Sequence, residues 1–241
     1  MYDNSLTDDA PEKAFDITLD PNAIEDAHMS TKLEHLSGDA NKLSYMTPKV
    51  GGLQLGLSFA PNNEDTEGGE NNALNVGEAP QTDIIEMALR YSGKTGGISY
   101  RFGYSTVEGN TEANGEADPE STSVGFRLGL GNWTFGGNQS EYDNLGQVDS
   151  LTYADSVSIE TTNYGQKYKL NKDSYIGLTF TDGEETHSNG TLTSYDEAMN
   201  GGGTMLNSGV SLGYYYSMAE GKHDEDDSEV SILGMTIALN F

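Results

Sequence analysis

The residues able to carry covalent chemistry are few and badly spaced for it. The four histidines are His28, His35, His187 and His223, and none stands in a His-Glu-x-x-His arrangement that would hold zinc from one helix face. No Gly-x-Ser-x-Gly nucleophile turn and no Gly-x-x-x-x-Gly-Lys phosphate loop occurs. The chain has no cysteine, which removes thiol nucleophiles, Cys-ligated metals and disulfides. Carboxylates are the abundant reactive type, 39 Asp and Glu against 12 Lys and Arg, for a net charge of −27. Clusters such as Glu64, Asp65, Glu67 and Glu70, or Asp224 to Asp227, offer hard oxygen ligands to divalent cations. They lack the Asp-x-Asp-x-Asp-Gly loop of a dedicated calcium site, so no metal or cofactor is expected and the chemistry left to them is electrostatic. A surface this acidic is unsuited to nucleic acid.

Those carboxylates concentrate where regular structure is hardest to read. Residues 1–40 contain Asp3, Asp8, Asp9, Glu12, Asp16, Asp20, Glu25, Asp26, Glu34 and Asp39 against Lys13 and Lys32. This segment has neither the basic nor the apolar region of an export signal, which fits a cytoplasmic protein or a mature or internal piece of an exported precursor. Hydrophobic residues make up 34% of the chain, below the usual range of about 45–50%, and no apolar run is long enough for a membrane-spanning helix.

From residue 41 onward a period of two takes over. Leu53, Leu55, Leu57 and Phe59 alternate with Gln54, Gly56, Ser58 and Ala60; Ile85, Met87, Leu89 and Tyr91 alternate with Glu86, Ala88 and Arg90. The same pattern places Ile98, Tyr100, Phe102 and Tyr104 opposite Arg101, and Val124, Phe126, Leu128 and Leu130 opposite Arg127. It continues through Trp133 and Phe135, through Ile176, Leu178 and Phe180, through Val210 to Met218, and through Leu233 to Phe241. Shorter runs at 42–47, 161–170 and 191–199 bring the expected number of strands to about eleven. Tight turns are expected at 48–52, 93–97, 131–132, 171–173 and 201–203, and long polar loops at 61–80, 108–120, 140–155, 182–190 and 220–227.

Short turns at one end and long acidic loops at the other describe an up-and-down meander whose ends meet different surroundings. The apolar faces carry no charge, and no amphipathic helix is available to cover them. A half-buried sheet in water would leave them exposed. Lipid solves this when the sheet closes, since every backbone group is then bonded and the charged face lines a watery lumen. The expected fold is therefore all-β, an antiparallel up-and-down transmembrane β-barrel. Tyr91, Tyr104, Trp133, Phe135, Tyr168 and Phe241 fall towards strand ends, as an interfacial aromatic girdle requires.

The run Ala40-Asn41-Lys42-Leu43-Ser44-Tyr45-Met46-Thr47-Pro48-Lys49, followed by Gly52 to Pro61, resembles the mid-chain hairpin of Gram-negative general diffusion porins, most closely the alphaproteobacterial type. Gly131 to Gly137 and the ending Thr236-Ile237-Ala238-Leu239-Asn240-Phe241 resemble the same family. The resemblance covers residues 40–241 and implies a sixteen-stranded barrel of which the last eleven strands, residues 41–241, are present and the N-terminal part is missing. It implies that residues 1–40 are the loop that folds into the barrel and narrows the pore, with Asp8, Asp9, Glu12, Asp16, Asp20, Glu25 and Asp26 as its acidic constriction. The opposing wall is then Lys42, Glu86, Arg90, Arg101, Arg127 and Lys167, and Phe241, Leu239 and Ile237 form the insertion signal read by the barrel-assembly machinery.

A porin implies passive diffusion of small hydrophilic solutes and ions, no covalent catalysis, a Gram-negative outer-membrane location, contact with lipid and lipopolysaccharide, and a homotrimer. The acidic surplus adds an expectation of cation preference. A non-conducting adhesin or structural barrel shares every strand feature, and a barrel hydrolase is a more distant alternative.

Overall fold

The alternating runs become strands that are longer than their apolar segments. In the computed structural model of the chain, residues 37, 41–62, 81–111, 118–144, 156–187, 192–207, 210–223 and 226–239 are described. They form eleven strands: β1 (Leu43–Met46), β2 (Leu53–Asn62), β3 (Gln81–Thr95), β4 (Ile98–Thr111), β5 (Glu120–Leu130), β6 (Trp133–Asp143), β7 (Ser156–Lys169), β8 (Ser174–His187), β9 (Leu192–Asn207), β10 (Val210–His223) and β11 (Asp226–Leu239). All belong to one sheet in sequence order, each antiparallel to its neighbours. Among the described residues, β1 pairs only with β2 and β11 only with β10, so the sheet is open at both edges.

The two faces invert the burial expected in water. On the apolar face Leu233, Met235 and Ile237 are 76%, 74% and 69% exposed, whereas on the polar face Ser105, Ser123 and Thr161 are 0%, 1% and 1% exposed. A sheet curved with its polar side concave produces this, because neighbouring side chains converge on the inside and splay on the outside. The sealed apolar residues are also on the inner face: Ala60, Ile84, Val107 and Tyr142 cluster with Ile159 near the long-loop end.

The turns at the opposite end are tight, for identifiable reasons. Gly51 and Gly52 have φ of 60° and 94° where Val50 bridges Leu53, and Gly96 and Gly97 have φ of 55° and 81° between β3 and β4. Both pairs occupy the left-handed backbone region that a two-residue hairpin demands. At 171–173 the Asn171 side chain accepts from the Asp173 amide at 2.8 Å, closing the turn without glycine.

Three expectations need correction. Gly201–Gly203 is not a turn but the interior of β9. Rings from adjacent strands cover these glycines: a Cβ on Gly202 would lie 2.7 Å from the Tyr175 carbonyl oxygen and 3.0 Å from Tyr214 Cε1, and one on Gly203 would lie 3.0 Å from the Tyr175 hydroxyl. Glycine here makes room for aromatic rings rather than for a bend. Likewise Gly93 lies within β3 beneath Tyr100, so that turn shrinks to 96–97. The long loops expected at 182–190 and 220–227 are largely strand, since β8 runs to His187 and β10 runs to His223, where it pairs with Asp226 of β11. Polar residues on both faces hid that extension, because backbone pairing above the apolar band needs no hydrophobic alternation.

Candidate functional site

The inner face has an axial order. Near the short-turn end lie the cations. Arg90 of β3 pairs with Gln54 and Gly103, Arg101 of β4 is the direct cross-strand partner of Arg127 of β5, and Lys167 of β7 pairs with Thr134 and Gly177. Lys167 Nζ stands 4.9 Å from the centre of the Tyr175 ring, a cation–π contact from the neighbouring strand. Among the described residues, Arg90 Nε is shielded from solvent without a hydrogen-bond partner. Two like charges directly opposite, as at Arg101 and Arg127, repel, so the wall keeps them at a cost in stability and presents a concentrated positive field.

Beyond the cations come small hydroxyls and amides. Ser123 and Ser140 share a hydrogen bond at 2.9 Å, Asn138 donates to Ser140 at 3.3 Å, and Thr181 donates to Asn163 at 2.8 Å. Further round, the Ser217 hydroxyl donates to Glu197. Tyr195 lies nearby, buried on the same side of β9.

The most informative contact joins this wall to the segment before β1. Of residues 1–40 the structure describes Ser37, which is fully buried. Its hydroxyl donates to Glu86 Oε1 at 2.6 Å and accepts from Lys42 Nζ at 2.6 Å, while Lys42 and Glu86 approach to 4.0 Å. Glu86 is on the inner face of β3, so the chain enters the sheet from the concave side. A buried carboxylate is tolerable here because an ammonium and a hydroxyl both serve it. Nothing in the sequence singled out Ser37, whose partner lies 49 residues away.

The remaining expected site residues are placed as follows. Lys42, Glu86, Arg90, Arg101, Arg127 and Lys167 all lie on or beside the polar face. Asp8, Asp9, Glu12, Asp16, Asp20, Glu25 and Asp26 lie outside the described residues, as does Phe241. Ile237 is exposed on the apolar face opposite Leu212, and Leu239 pairs with Val210 at the end of β11. Among the described residues no group of three His, Asp or Glu side chains is gathered closely enough to hold a metal ion.

On the outer face the apolar band ends abruptly in acids. Glu108, Glu141, Glu160, Asp182, Glu184, Asp196, Glu220 and Glu229 continue the outward positions of their strands, several as direct cross-strand partners: Asp182 with Asp196, Asp196 with Glu220, and Glu220 with Glu229. Asp182 has its carboxyl raised above the usual range, first by burial, then by the hydrogen bond and charge of Asp196, with Glu184 and Glu160 adding. Below the band, Trp133 and Tyr168 rings meet at 4.6 Å and Tyr91 and Tyr100 at 5.6 Å, an aromatic border at the short-turn end.

A meander with an exposed apolar band, an aromatic border and a sheltered charged face defines the class of outer-membrane β-barrel proteins. Within that class the chain belongs to the Gram-negative porin family, whose description matches residues 2–236, and it is an outer-membrane protein. The fold is similar to that of the outer-membrane channel DcaP of Acinetobacter baumannii, with TM-score 0.59, 12% identity, and coverage of 83% of this chain and 62% of that one. It is also similar to OmpF of Salmonella typhi, solved with daunomycin, with TM-score 0.55, 17% identity and coverage of 81% and 61%. An anion-selective porin from Comamonas acidovorans gives TM-score 0.54, 14% identity and coverage of 85% and 64%. The chain thus spans less than two thirds of the length of these structures. No curated protein matches the sequence.

Proposed function

We propose that this chain forms the wall of a diffusion channel for small hydrophilic solutes and ions in the outer membrane, of the alphaproteobacterial porin type, with cations preferred. The observation that carries the reading is the tie between Ser37, Lys42 and Glu86, which brings the end of an acidic forty-residue segment onto the inner wall that bears Arg90, Arg101, Arg127 and Lys167. In this reading Asp8, Asp9, Glu12, Asp16, Asp20, Glu25 and Asp26 face those cations across the lumen. Opposed charges make a transverse field that orients dipolar solutes and rejects apolar ones.

The acidic surplus then decides the sign of selectivity. In this reading the charges mounted on the wall set that sign rather than the architecture, since a similar fold belongs to a porin described as anion-selective. Trimer formation, a lipopolysaccharide contact at the outward acids and insertion through an ending that includes Ile237, Leu239 and Phe241 complete the proposal.

Planar-bilayer recording tests it. Discrete conductance steps with a cation-preferring reversal potential across a salt gradient are expected, and removal of residues 1–36 should enlarge the steps. Anion preference would defeat the selectivity assignment, and unchanged step size after removal would defeat the constriction.

A further inference from the structure

On the inner wall of β8 to β11, near the short turns, most side chains are missing. One inward row across these strands reads Tyr175, Gly203, Gly213 and Thr236. The next reads Gly177, Gly201, Tyr215 and Gly234. Five of these eight positions are glycine. Glycine weakens a strand, by lost conformational freedom and lost packing, so a block of five calls for a reason.

The two tyrosines supply it. A Cβ on Gly203 would lie 3.0 Å from the Tyr175 hydroxyl and 3.1 Å from its Cε1 and Cζ, and a Cβ on Gly234 would overlap Cε1 and Cζ of Tyr215. Each ring therefore lies across the bare backbone of the next strand, and both lean the same way, towards β11. Thr236 closes the patch, its Oγ1 3.3 Å from where a Gly213 Cβ would stand. Cover for the backbone would by itself bury the rings, yet both tyrosines stay half-buried and keep part of their surface open to the concave side. Lys167 Nζ, 4.9 Å from the centre of the Tyr175 ring, brings three donors to that open surface. Rings held by the sheet on one side have little freedom left to lose when a solute settles on the other.

We infer that Tyr175 and Tyr215 form a binding platform for a short neutral oligosaccharide on the inner wall. The rings belong to strands two apart, about 10 Å across the sheet at the usual spacing, a span that takes linked sugar rings rather than a single one. A sugar is apolar on its C–H faces and polar round its rim. The faces lie on the aromatic rings, while the rim hydroxyls, which both donate and accept, meet the Thr236 hydroxyl and the Lys167 ammonium. The glycines between the rings leave the wall low enough for the chain of the sugar to cross from one to the other. A neutral solute is also one that the net charge of −27 neither draws in nor repels. The inference rests on the channel reading for the solute's access to this wall, and it adds a solute class and the residues that hold it.

Maltohexaose is the probe. Added to the full chain in a planar bilayer, it is expected to cause brief closures whose frequency rises with its concentration. Equilibrium dialysis of labelled maltohexaose against the refolded chain in detergent reads the same binding without conduction. Tyr175→Leu combined with Tyr215→Leu is expected to weaken that binding about tenfold. Tyr175→Phe combined with Tyr215→Phe keeps both rings over their glycines and is expected to hold it within about threefold. Unchanged binding by the leucine variant, or its loss in the phenylalanine variant, would overturn the inference and leave the rings as backbone cover only. Should the leucine variant fail to fold, saturation-transfer NMR on the unmodified chain decides. Irradiating the aromatic protons is expected to attenuate the C–H signals of the sugar, and unattenuated signals overturn the platform. Tyrosine-dependent binding in dialysis without conductance steps would sink the channel reading and leave the site standing, whereas steps without such binding would do the reverse.

Discussion

At the scale of single residues, the fold depends on groups whose value lies in what stands opposite them. Glu86 is 3% exposed, and the Lys42 ammonium and the Ser37 hydroxyl both approach its carboxyl group. Replacing Lys42 by Met strands that carboxylate, which costs about 3 kcal/mol when one partner of a buried pair is removed. The companion change Glu86→Gln in the same chain should restore much of the loss, since a neutral amide needs no counter-charge. Urea unfolding of the reconstituted protein reads both outcomes, and equal stability of Lys42→Met and the unmodified chain would show that the pair contributes nothing. Gly202 is a second such residue. Any side chain there meets the backbone oxygen of Tyr175, which cannot swing away as a ring can, so Gly202→Ala is expected to cost about 1–3 kcal/mol. Thermal unfolding compared with an alanine at Gly51, where a Cβ would meet nothing within 4 Å but the backbone has φ of 60°, separates crowding from conformational strain.

At the scale of elements, what was legible in the sequence was the apolar band and its phase. Leu53 to Phe59, Ile85 to Tyr91 and Leu233 to Ile237 lie on one face as alternation requires, and Arg90, Arg101 and Arg127 lie on the other. The strand extensions were not legible, because Glu184 on one face and Glu185 on the other carry no signal of which side is wet. The glycines of β9 misled for another reason: their covering rings, Tyr175 and Tyr214, belong to other strands and are adjacent only after pairing. These polar extensions yield a pH prediction. Asp182 binds its proton more tightly in the folded strand than in the unfolded chain, so its contribution to stability falls as pH rises through the raised value and is regained as pH falls towards the ordinary carboxylate range near about 3.9. Asp182→Asn should flatten that dependence above the ordinary carboxylate range. Hydrogen exchange at the long-loop ends of β8 and β9 measures it, and an unaltered pH slope in the variant would remove Asp182 from the account.

At the scale of the whole molecule, charge is sorted rather than spread: acids ring the outside above the band and fill the segment before β1, while the inner wall gathers arginine and lysine. Selectivity in such a vessel is a contest between a net charge of −27 and a few cations standing closer to the path of the solute. Distance and screening decide it. At about 0.1 M salt the Debye length is about 10 Å, so in the proposed arrangement distant acids still act across the lumen, whereas at about 1 M it is about 3 Å and only groups beside the ion are felt. The proposed cation preference is therefore expected to weaken as salt is raised, because Arg101 and Arg127, next to each other on the wall, outlast the remote carboxylates. Replacing both by Gln should strengthen cation preference at every salt concentration and most at high salt, where they are the surviving influence. Reversal potentials measured in tenfold gradients at low and high mean concentration give the comparison. A change of equal size at both would mean that the two arginines act through the arrangement of the wall and not through their field.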